Sequence, residues 1–140
     1  MADDRSAQRG YATVLIIEDQ TLMRETLRGF LQFAFPGCYF HEADDGASAL
    51  DACKTRRPDL VLMDKCLPDA DGIELTSRLR MIYPGIQVIV ISQRSGEIYV
   101  QRALAAGARA YLVKDSLATE LIPAVAAAIG IAPATATGAS

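Results

Sequence analysis

The amino-acid sequence predicts an α/β fold in which a parallel sheet carries helices on both faces. Short apolar runs alternate with segments of helical length five times along the chain, and such alternation is typical of parallel sheets. Most of these runs are continuously apolar and rich in Val, Ile and Leu, as strands are when both faces of the sheet are covered. A length of 140 residues, 51% of them hydrophobic, suffices for one domain with a substantial core. We therefore expect a single, doubly wound α/β domain.

Five segments are predicted to be the strands of this sheet. Four are uninterrupted apolar runs, at residues 14–17, 60–63, 88–91 and 111–113. A further segment, residues 38–41, is less apolar and follows a Pro-Gly pair that favours a turn. In chain order this segment is the second of five strands.

The first two predicted helices follow the first two strands. Residues 21–35 place apolar side chains three and four positions apart, which suits a helix packed on a sheet. The members of this stripe are Met23, Leu27, Phe30, Leu31 and Ala34. Residues 47–55 are the second helix, and Pro58 prevents it from continuing.

The third and fourth helices are predicted from their end signals. Residues 71–83 begin with Asp71 and Glu74, a spacing close to that of a capping box. Residues 96–106 are followed by Gly107, which is expected to adopt the left-handed conformation at a helix C-terminus. Both helices would pack on the sheet between successive strands.

The last helix, predicted for residues 116–129, contains a conflicting signal. Ser116 is a natural N-cap residue, so the helix is expected to begin there. Pro123 lies inside the segment and lacks a backbone donor. We therefore expect either a late start near Leu121 or a kink.

Charge and hydropathy disfavour several classes of protein. The 14 basic and 17 acidic residues leave a net charge of −3, which argues against a broad nucleic-acid-binding face. No apolar run approaches the ~20 residues that span a bilayer, and the polar N-terminus does not resemble a secretory signal. Three cysteines without a Cys-x-x-Cys pair predict free thiols rather than disulfides or zinc ligands. A cytoplasmic protein that binds neither membranes nor nucleic acid directly is expected.

The two ends of the chain differ in composition from its middle. Residues 1–11 are mostly polar and are expected to form a flexible N-terminal tail. Residues 130–140 are small, uncharged and rich in Ala and Thr, as in a flexible linker or C-terminal tail. The folded domain is therefore predicted to span residues 12–129.

Polar side chains follow the predicted strands at the position where open parallel sheets bind ligands, beyond the carboxyl ends. These residues are Glu18, Asp19, Asp64, Ser92 and Lys114. Three neighbouring carboxylates repel one another unless a cation lies between them, and Mg²⁺ favours such all-oxygen clusters. The ammonium and the hydroxyl would bind an anion beside the metal. This set of groups suits a phosphoryl group that one carboxylate attacks.

These motifs resemble those of the receiver domains of bacterial two-component response regulators, over residues 12–129. The matching signatures are the acid pair Glu18-Asp19, the stretch Asp64-x-x-Leu67-Pro68-x-x-x-Gly72, Ser92, and Gly107-Ala108-x-x-Tyr111-x-x-Lys114-Asp115. The surroundings of Lys114 are similar to those in LuxR-type regulators, which carry a C-terminal helix-turn-helix domain. The resemblance implies a flavodoxin-like sheet with strand order 2-1-3-4-5.

The resemblance also implies a role for each site residue. Asp64 would be the phosphoacceptor, and the Mg²⁺ ligands would be Glu18, Asp19, Asp64 and the backbone carbonyl of Cys66. Ser92 and Lys114 would contact the phosphoryl group, and Tyr111 would be the aromatic residue that changes its exposure when Ser92 moves.

The implied function is that of a phosphorylation-dependent signalling switch and not of a classical enzyme. The phosphoryl donor would be a sensor histidine kinase or a phosphotransfer protein, and phosphorylation could produce a homodimer. The output, most often transcription, would belong to an effector domain, for which the residues after 129 leave no room. DNA would be bound only through that domain.

Two positions depart from the usual pattern of the family. The residue after the switch hydroxyl is generally small, whereas here it is Gln93, followed by Arg94. Both side chains could screen the site from attacking water. We hypothesise that they, together with Cys66, set the lifetime of the phosphorylated form.

Other functions remain open at this stage. The chain could be a stand-alone receiver, or a pseudo-receiver that binds partners without taking up phosphate. A phosphohydrolase similar to the haloacid dehalogenases would have an Asp-x-Asp motif after a strand, whereas Lys65 and Cys66 follow Asp64. The intact acidic residues and Lys114 argue against the pseudo-receiver.

Overall fold

Five parallel strands form a single sheet. The computed structural model describes residues 11–134 and contains the strands β1 (Thr13–Ile17), β2 (Tyr39–Ala43), β3 (Leu60–Asp64), β4 (Gln87–Ser92) and β5 (Ala110–Val113). They lie in the order β2-β1-β3-β4-β5, as the resemblance to receiver domains implies. The chain reverses direction across the sheet after β2, so β1 and β3 are neighbours at the switch point.

Five helices connect and cover these strands. They are α1 (Thr21–Ala34), α2 (Gly46–Thr55), α3 (Gly72–Ile82), α4 (Glu97–Ala105) and α5 (Leu117–Ile129). A short 3₁₀ turn, Lys114–Ser116, separates β5 from α5. The predicted alternation of strand and helix is therefore confirmed along the described chain.

The two faces of the sheet bury separate hydrophobic clusters, because successive side chains of a strand point to opposite faces. In β1, Val14 and Ile16 belong to the cluster under α1 and α5. Leu15 and Ile17 belong to the cluster under α2, α3 and α4. All residues of β1 and β3 are buried, which explains the continuous apolar runs at residues 14–17 and 60–63.

Strand β2 ends at Ala43, two residues beyond the end of the predicted segment 38–41. It pairs with β1 in a register that joins Thr13 to Tyr39 and Ile17 to Ala43. As an edge strand, β2 is partly exposed and has little hydrophobic signal of its own. Its limits follow from pairing with β1, which sequence periodicity does not reveal.

The helix ends differ in detail from their predictions. Helix α2 begins at Gly46, where Asp45 and Ser48 form a reciprocal capping box. Asp71 caps α3 by accepting a hydrogen bond from the Ile73 backbone N–H (2.8 Å). Gly107 follows α4 with φ of +104°, in the region that favours glycine, as expected.

Helix α5 corrects the expectation of a late start near Leu121. It begins at Leu117 and includes Pro123, and the Ser116 side chain makes no capping bond. Leu117, Leu121 and Val125 follow one another at a spacing of four residues and are all buried against the sheet. Burial of this stripe outweighs the single backbone bond that proline cannot make.

The two predicted tails lie largely outside the described residues, which exclude 1–10 and 135–140. Just inside the C-terminal limit, the backbone N–H of Ala134 donates to the carbonyl of Ala34 in α1 (2.7 Å). Between residues 11 and 134, every helix is too short or too polar to cross a bilayer.

Candidate functional site

The sheet brings the predicted polar residues together at one edge. Asp64 and Ser92 are the last residues of β3 and β4, whereas Glu18 and Lys114 directly follow β1 and β5. Glu18, Asp64 and Ser92 are all buried, with exposed fractions of 1%, 6% and 2%. Asp19 is exposed beside them. The geometry therefore collects the predicted acids, hydroxyl and amine around one point.

Local backbone contacts hold the end of β3 in place. The Gly72 N–H donates to the carbonyl of Lys65 (2.7 Å), and the Lys65 N–H donates to Ile91 in β4 (2.9 Å). A Cβ atom on Gly72 would lie 2.3 Å from the Asp64 carbonyl oxygen, which is too close for any other residue. This close approach explains the glycine in the motif that begins with Asp64.

The acidic residues form a compact cluster. One carboxylate oxygen from each of Glu18, Asp19 and Asp64 lies within 4.8 Å of the others. Lys114 Nζ lies 3.1 Å from Glu18 Oε1 and 3.8 Å from Asp64 Oδ1. Glu18 Oε2 also accepts a hydrogen bond from the Gln20 backbone N–H (3.1 Å). A single lysine thus contacts two buried acids.

Burial and the neighbouring charges change the pKa of Asp64 strongly. Burial, followed by repulsion from Glu18, raises the pKa of Asp64 from its ordinary value of 3.8 to about 7. Lys114 and the Cys66 backbone N–H, which lies 3.2 Å from Asp64 Oδ1, act in the opposite direction. More positive charge at this point would stabilise the carboxylate form.

The donor set suits a hard divalent cation. Three carboxylates provide oxygen ligands, and Asp19 remains accessible to solvent, as a site that retains bound waters requires. Cys66 is exposed and lines the same cleft, so its thiol is not part of a closed sulfur-ligand site. The residues present therefore fit Mg²⁺ better than a soft metal.

A cleft of about 300 Å³ opens above the acids. Its lining comprises Asp19, Gln20, Asp64, Cys66, Ser92, Gln93, Arg94 and Lys114. The two residues that depart from the family pattern, Gln93 and Arg94, are thus placed at the cleft, as is Cys66. Their effect on a phosphorylated form stays a prediction.

Ser92 and Tyr111 are connected through the loop after β4. The Arg94 backbone N–H donates to Ser92 Oγ (3.0 Å), and the Tyr111 hydroxyl donates to the Arg94 carbonyl (2.6 Å). Tyr111 is half-buried. Movement of Ser92 would therefore disturb a peptide that also holds Tyr111.

Sequence reasoning missed two residues of the site. The Gln20 backbone N–H binds Glu18, and the Arg24 guanidinium donates to the Glu18 carbonyl (2.6 Å). Arg24 lies in α1 and looks in sequence like an ordinary solvated helix residue. Its partner Glu42 comes from β2, so no local pattern could have linked the two.

Comparison with known proteins adds a family assignment. A profile of the family described as "Response regulator receiver domain" matches residues 14–126. The transcriptional regulatory protein DegU of Brevibacillus brevis is 35% identical over 112 residues, which are 80% of this chain and 48% of DegU. The chain thus spans about half the length of this relative.

Two further proteins are similar to this chain. The chemotaxis protein CheY of Halobacterium salinarum is 36% identical over 101 residues, covering 72% of this chain and 82% of CheY. The crystal structure of a two-component response regulator of the LuxR family from Aurantimonas sp. SI85-9A1 superposes with a TM-score of 0.79 at 29% identity. That match covers 87% of this chain and 88% of the other.

Proposed function

The chain belongs to the response regulator receiver domain family, and from this premise we propose that Asp64 accepts a phosphoryl group from a partner protein. The family is one of signalling domains of two-component systems. The donor would be the phosphohistidine of a sensor kinase or of a phosphotransfer protein. The observation that carries the proposal is the buried Asp64 carboxylate, which faces the cleft between two other acids and Lys114.

The transfer requires little from the protein except position and charge. A carboxylate oxygen of Asp64 attacks phosphorus, the bond from phosphorus to the donor imidazole breaks, and the imidazole nitrogen retains the electron pair. No general base is needed once Asp64 is ionised. Lys114, 3.8 Å from Asp64 Oδ1, would bind the phosphoryl oxygens.

The acidic cluster would hold Mg²⁺ through Glu18, Asp19 and Asp64, together with the Cys66 backbone carbonyl. Bound there, the ion would supply positive charge that favours ionised Asp64 and offsets the charge of the phosphoryl group. The raised pKa of Asp64 supports this assignment, because burial and then repulsion from Glu18 outweigh the effect of Lys114.

The phosphorylated site would act on the rest of the domain through Ser92. Rotation of the Ser92 hydroxyl oxygen toward a phosphoryl oxygen would alter the hydrogen bond that it accepts from the Arg94 N–H. Because the Arg94 carbonyl binds the Tyr111 hydroxyl, Tyr111 is the residue whose position would change next. A bias of about 1–3 kcal/mol between two conformations is usual for such coupling.

The output is proposed by similarity. DegU is named as a transcriptional regulatory protein, and the matching Aurantimonas structure is of the LuxR family. We infer that this receiver controls transcription through an effector domain that binds DNA, and that phosphorylation favours a homodimer. The similarity to CheY over 82% of that protein supports a second candidate, a receiver that acts on a partner without an effector domain of its own.

The test uses the purified chain, Mg²⁺ and acetyl phosphate, with the product measured by intact-protein mass spectrometry. We expect one phosphoryl adduct in the wild type and none in Asp64→Asn. Asp115→Asn is the matched control, because Asp115 lies at the same edge of the sheet but is exposed. Its adduct should equal that of the wild type.

Other outcomes would favour the alternatives. Continuous hydrolysis of phosphate esters would indicate a haloacid-dehalogenase-like phosphohydrolase. A folded protein that takes phosphate neither from acetyl phosphate nor from a set of phosphorylated histidine kinases would be a pseudo-receiver. An adduct that persists in Asp64→Asn would place the phosphoacceptor elsewhere and contradict the proposal.

A further inference from the structure

Arg24 connects the acid pair Glu18-Asp19 to the outer strand β2. Its Nη1 atom donates to the Glu18 backbone carbonyl (2.6 Å), and its Nε atom donates to Glu42 Oε1 in β2 (2.8 Å). Only 15% of the Arg24 side chain is exposed. A guanidinium can bind both groups at once because its donors form a planar fork.

These bonds determine the backbone at Glu18. The Glu18 N–H donates to the carbonyl of Ala43 in β2 (3.0 Å), so the preceding peptide is anchored to the sheet. Arg24 anchors the following peptide through its carbonyl oxygen. Since a peptide unit is planar, the same bond sets the orientation of the Asp19 N–H and the direction in which Asp19 leaves Glu18.

Asp19 is the member of the acidic cluster whose side chain is least restrained by its surroundings. Glu18 and Asp64 are buried and contact Lys114, whereas Asp19 is exposed. Its carboxylate still lies within 4.8 Å of the other two. The position of Asp19 therefore depends on the peptide that Arg24 holds.

Arg28 provides an internal comparison one turn further along α1. It binds the second oxygen of the same carboxylate, with 2.5 Å between Arg28 Nη1 and Glu42 Oε2. Both arginines thus pair with Glu42, but it is Arg24 that continues to Glu18. Loss of either arginine removes an ion pair, and loss of Arg24 also releases the acid pair.

We propose that Arg24 is a positioning residue for a divalent cation, which acts by bridging the Glu18 carbonyl to Glu42 and thereby orienting Asp19. This inference rests on the proposed function, because it assumes that the acidic cluster binds Mg²⁺. It assigns Arg24 no contact with the ion or with the phosphoryl group.

The experiment measures Mg²⁺ affinity and not phosphorylation. Isothermal titration calorimetry of the full chain with MgCl₂ compares wild type, Arg24→Met and Arg28→Met. Groups that orient metal ligands typically change affinity by 10–100-fold when they are removed, so Arg24→Met should raise the Kd about tenfold. Arg28→Met, which loses only the more exposed of the two ion pairs that Glu42 makes, should stay within about twofold of wild type.

A spectroscopic measurement distinguishes positioning from general loosening of α1. In metal-free protein, the ¹H–¹⁵N cross-peak of Asp19 should shift in Arg24→Met and stay in place in Arg28→Met. Arg24→Lys keeps a cation but not the planar fork, so it should recover part of the lost affinity. Equal weakening by Arg24→Met and Arg28→Met, or an unchanged Kd in Arg24→Met, would overturn the inference.

Two controls cover the remaining outcomes. If circular dichroism shows that Arg24→Met is unfolded, Glu42→Gln is used instead. In that variant Arg24 is kept and loses only its charged partner, so the expected rise in Kd is about threefold. An unchanged Kd in Glu42→Gln would then count against the inference. Wild type that binds no Mg²⁺ would defeat the proposed function as well, whereas normal binding with an insensitive Arg24 would defeat the inference alone.

Discussion

Two side chains in the loop after β4 make this site different from the family pattern described above. Gln93 and Arg94 line the cleft that contains Asp64, at positions where the family usually has a small residue first. The structural bonds of Arg94 come from its backbone, which binds Ser92 and Tyr111. Its side chain can therefore be removed without removing those bonds.

We expect Gln93→Ala with Arg94→Ala to shorten the lifetime of the phosphorylated protein. Without these side chains, water reaches the acyl phosphate more freely, and its decay should accelerate about threefold or more. The measurement is the loss of the phosphoryl adduct after removal of the donor. Ser95→Ala is the control, because Ser95 lies on the same loop but lines the neighbouring cleft. An unchanged decay rate in the double variant would refute the hypothesis.

At the scale of the element, the contact between β3 and the start of α3 tolerates only glycine. The space for a Cβ on Gly72 is occupied by backbone atoms of Asp64 and Lys65, at 2.3 Å and 2.8 Å. Backbone atoms of a buried strand cannot move aside as a flexible side chain could. Gly29, in the exposed middle of α1, has nothing within 4 Å of its Cβ position.

The two glycines therefore predict opposite effects of the same substitution. Gly72→Ala should lower the free energy of unfolding by about 2–3 kcal/mol or more, because β3 and α3 must separate. Gly29→Ala should raise it by about 0.5–1 kcal/mol, because alanine loses less backbone entropy in a helix. Urea unfolding of both variants measures the two changes. A neutral Gly72→Ala would mean that the end of β3 is not as closely packed as the structure indicates.

Helix α5 and strand β2 show where element prediction fails. Pro123 signals a helix break locally, but four-residue spacing of buried side chains keeps α5 continuous across it. Strand β2 has a mixed pattern, and its limits depend on the partner strand β1. Strands β1, β3 and β4 carry strong patterns because they are buried on both faces, and the predicted positions of these strands and of β5 agree with the structure to within one or two residues.

At the scale of the whole molecule, the charged groups of the site come from the ends of three different strands. Glu18 directly follows β1, Asp64 ends β3, and Lys114 directly follows β5. None of these groups is close to another in sequence, and they meet only when the sheet forms. The raised pKa of Asp64 is therefore a property of the folded state.

This difference between folded and unfolded states predicts the pH dependence of stability. Because the pKa of Asp64 rises from 3.8 to about 7 on folding, the native protein binds more protons between those values. The contribution of Asp64 to the free energy of unfolding should thus fall as pH rises from about 4 to about 7. Asp64→Asn has no such titration. In metal-free buffer, its free energy of unfolding relative to that of wild type should therefore rise by roughly 2–4 kcal/mol from pH 4.5 to pH 8.

Urea unfolding of wild type and Asp64→Asn across this range, with a chelator present, measures the effect. Asp115→Asn removes an exposed acid from the same edge of the sheet and should follow the wild-type pH profile. Parallel profiles for wild type and Asp64→Asn would show that Asp64 is ionised throughout, contrary to the charge balance described above.

The sequence by itself determined the fold class and the chemical groups of the candidate site. Continuous apolar runs mark buried strands, and a polar residue directly after such a run must lie at the end of the strand. Parallel strands place these ends at one edge, so Asp64, Ser92 and Lys114 could be predicted to meet. This reasoning uses only local patterns and the connectivity of a parallel sheet.

The tertiary structure decided what local patterns do not encode. The bridge from Arg24 to Glu42 and Glu18 depends on how α1 packs against β2, and the limits of β2 depend on its register with β1. The raised pKa of Asp64 depends on burial beside Glu18, which is 46 positions away in the sequence. Such effects arise from contacts between distant residues, and those contacts exist only once the sheet and helices have packed.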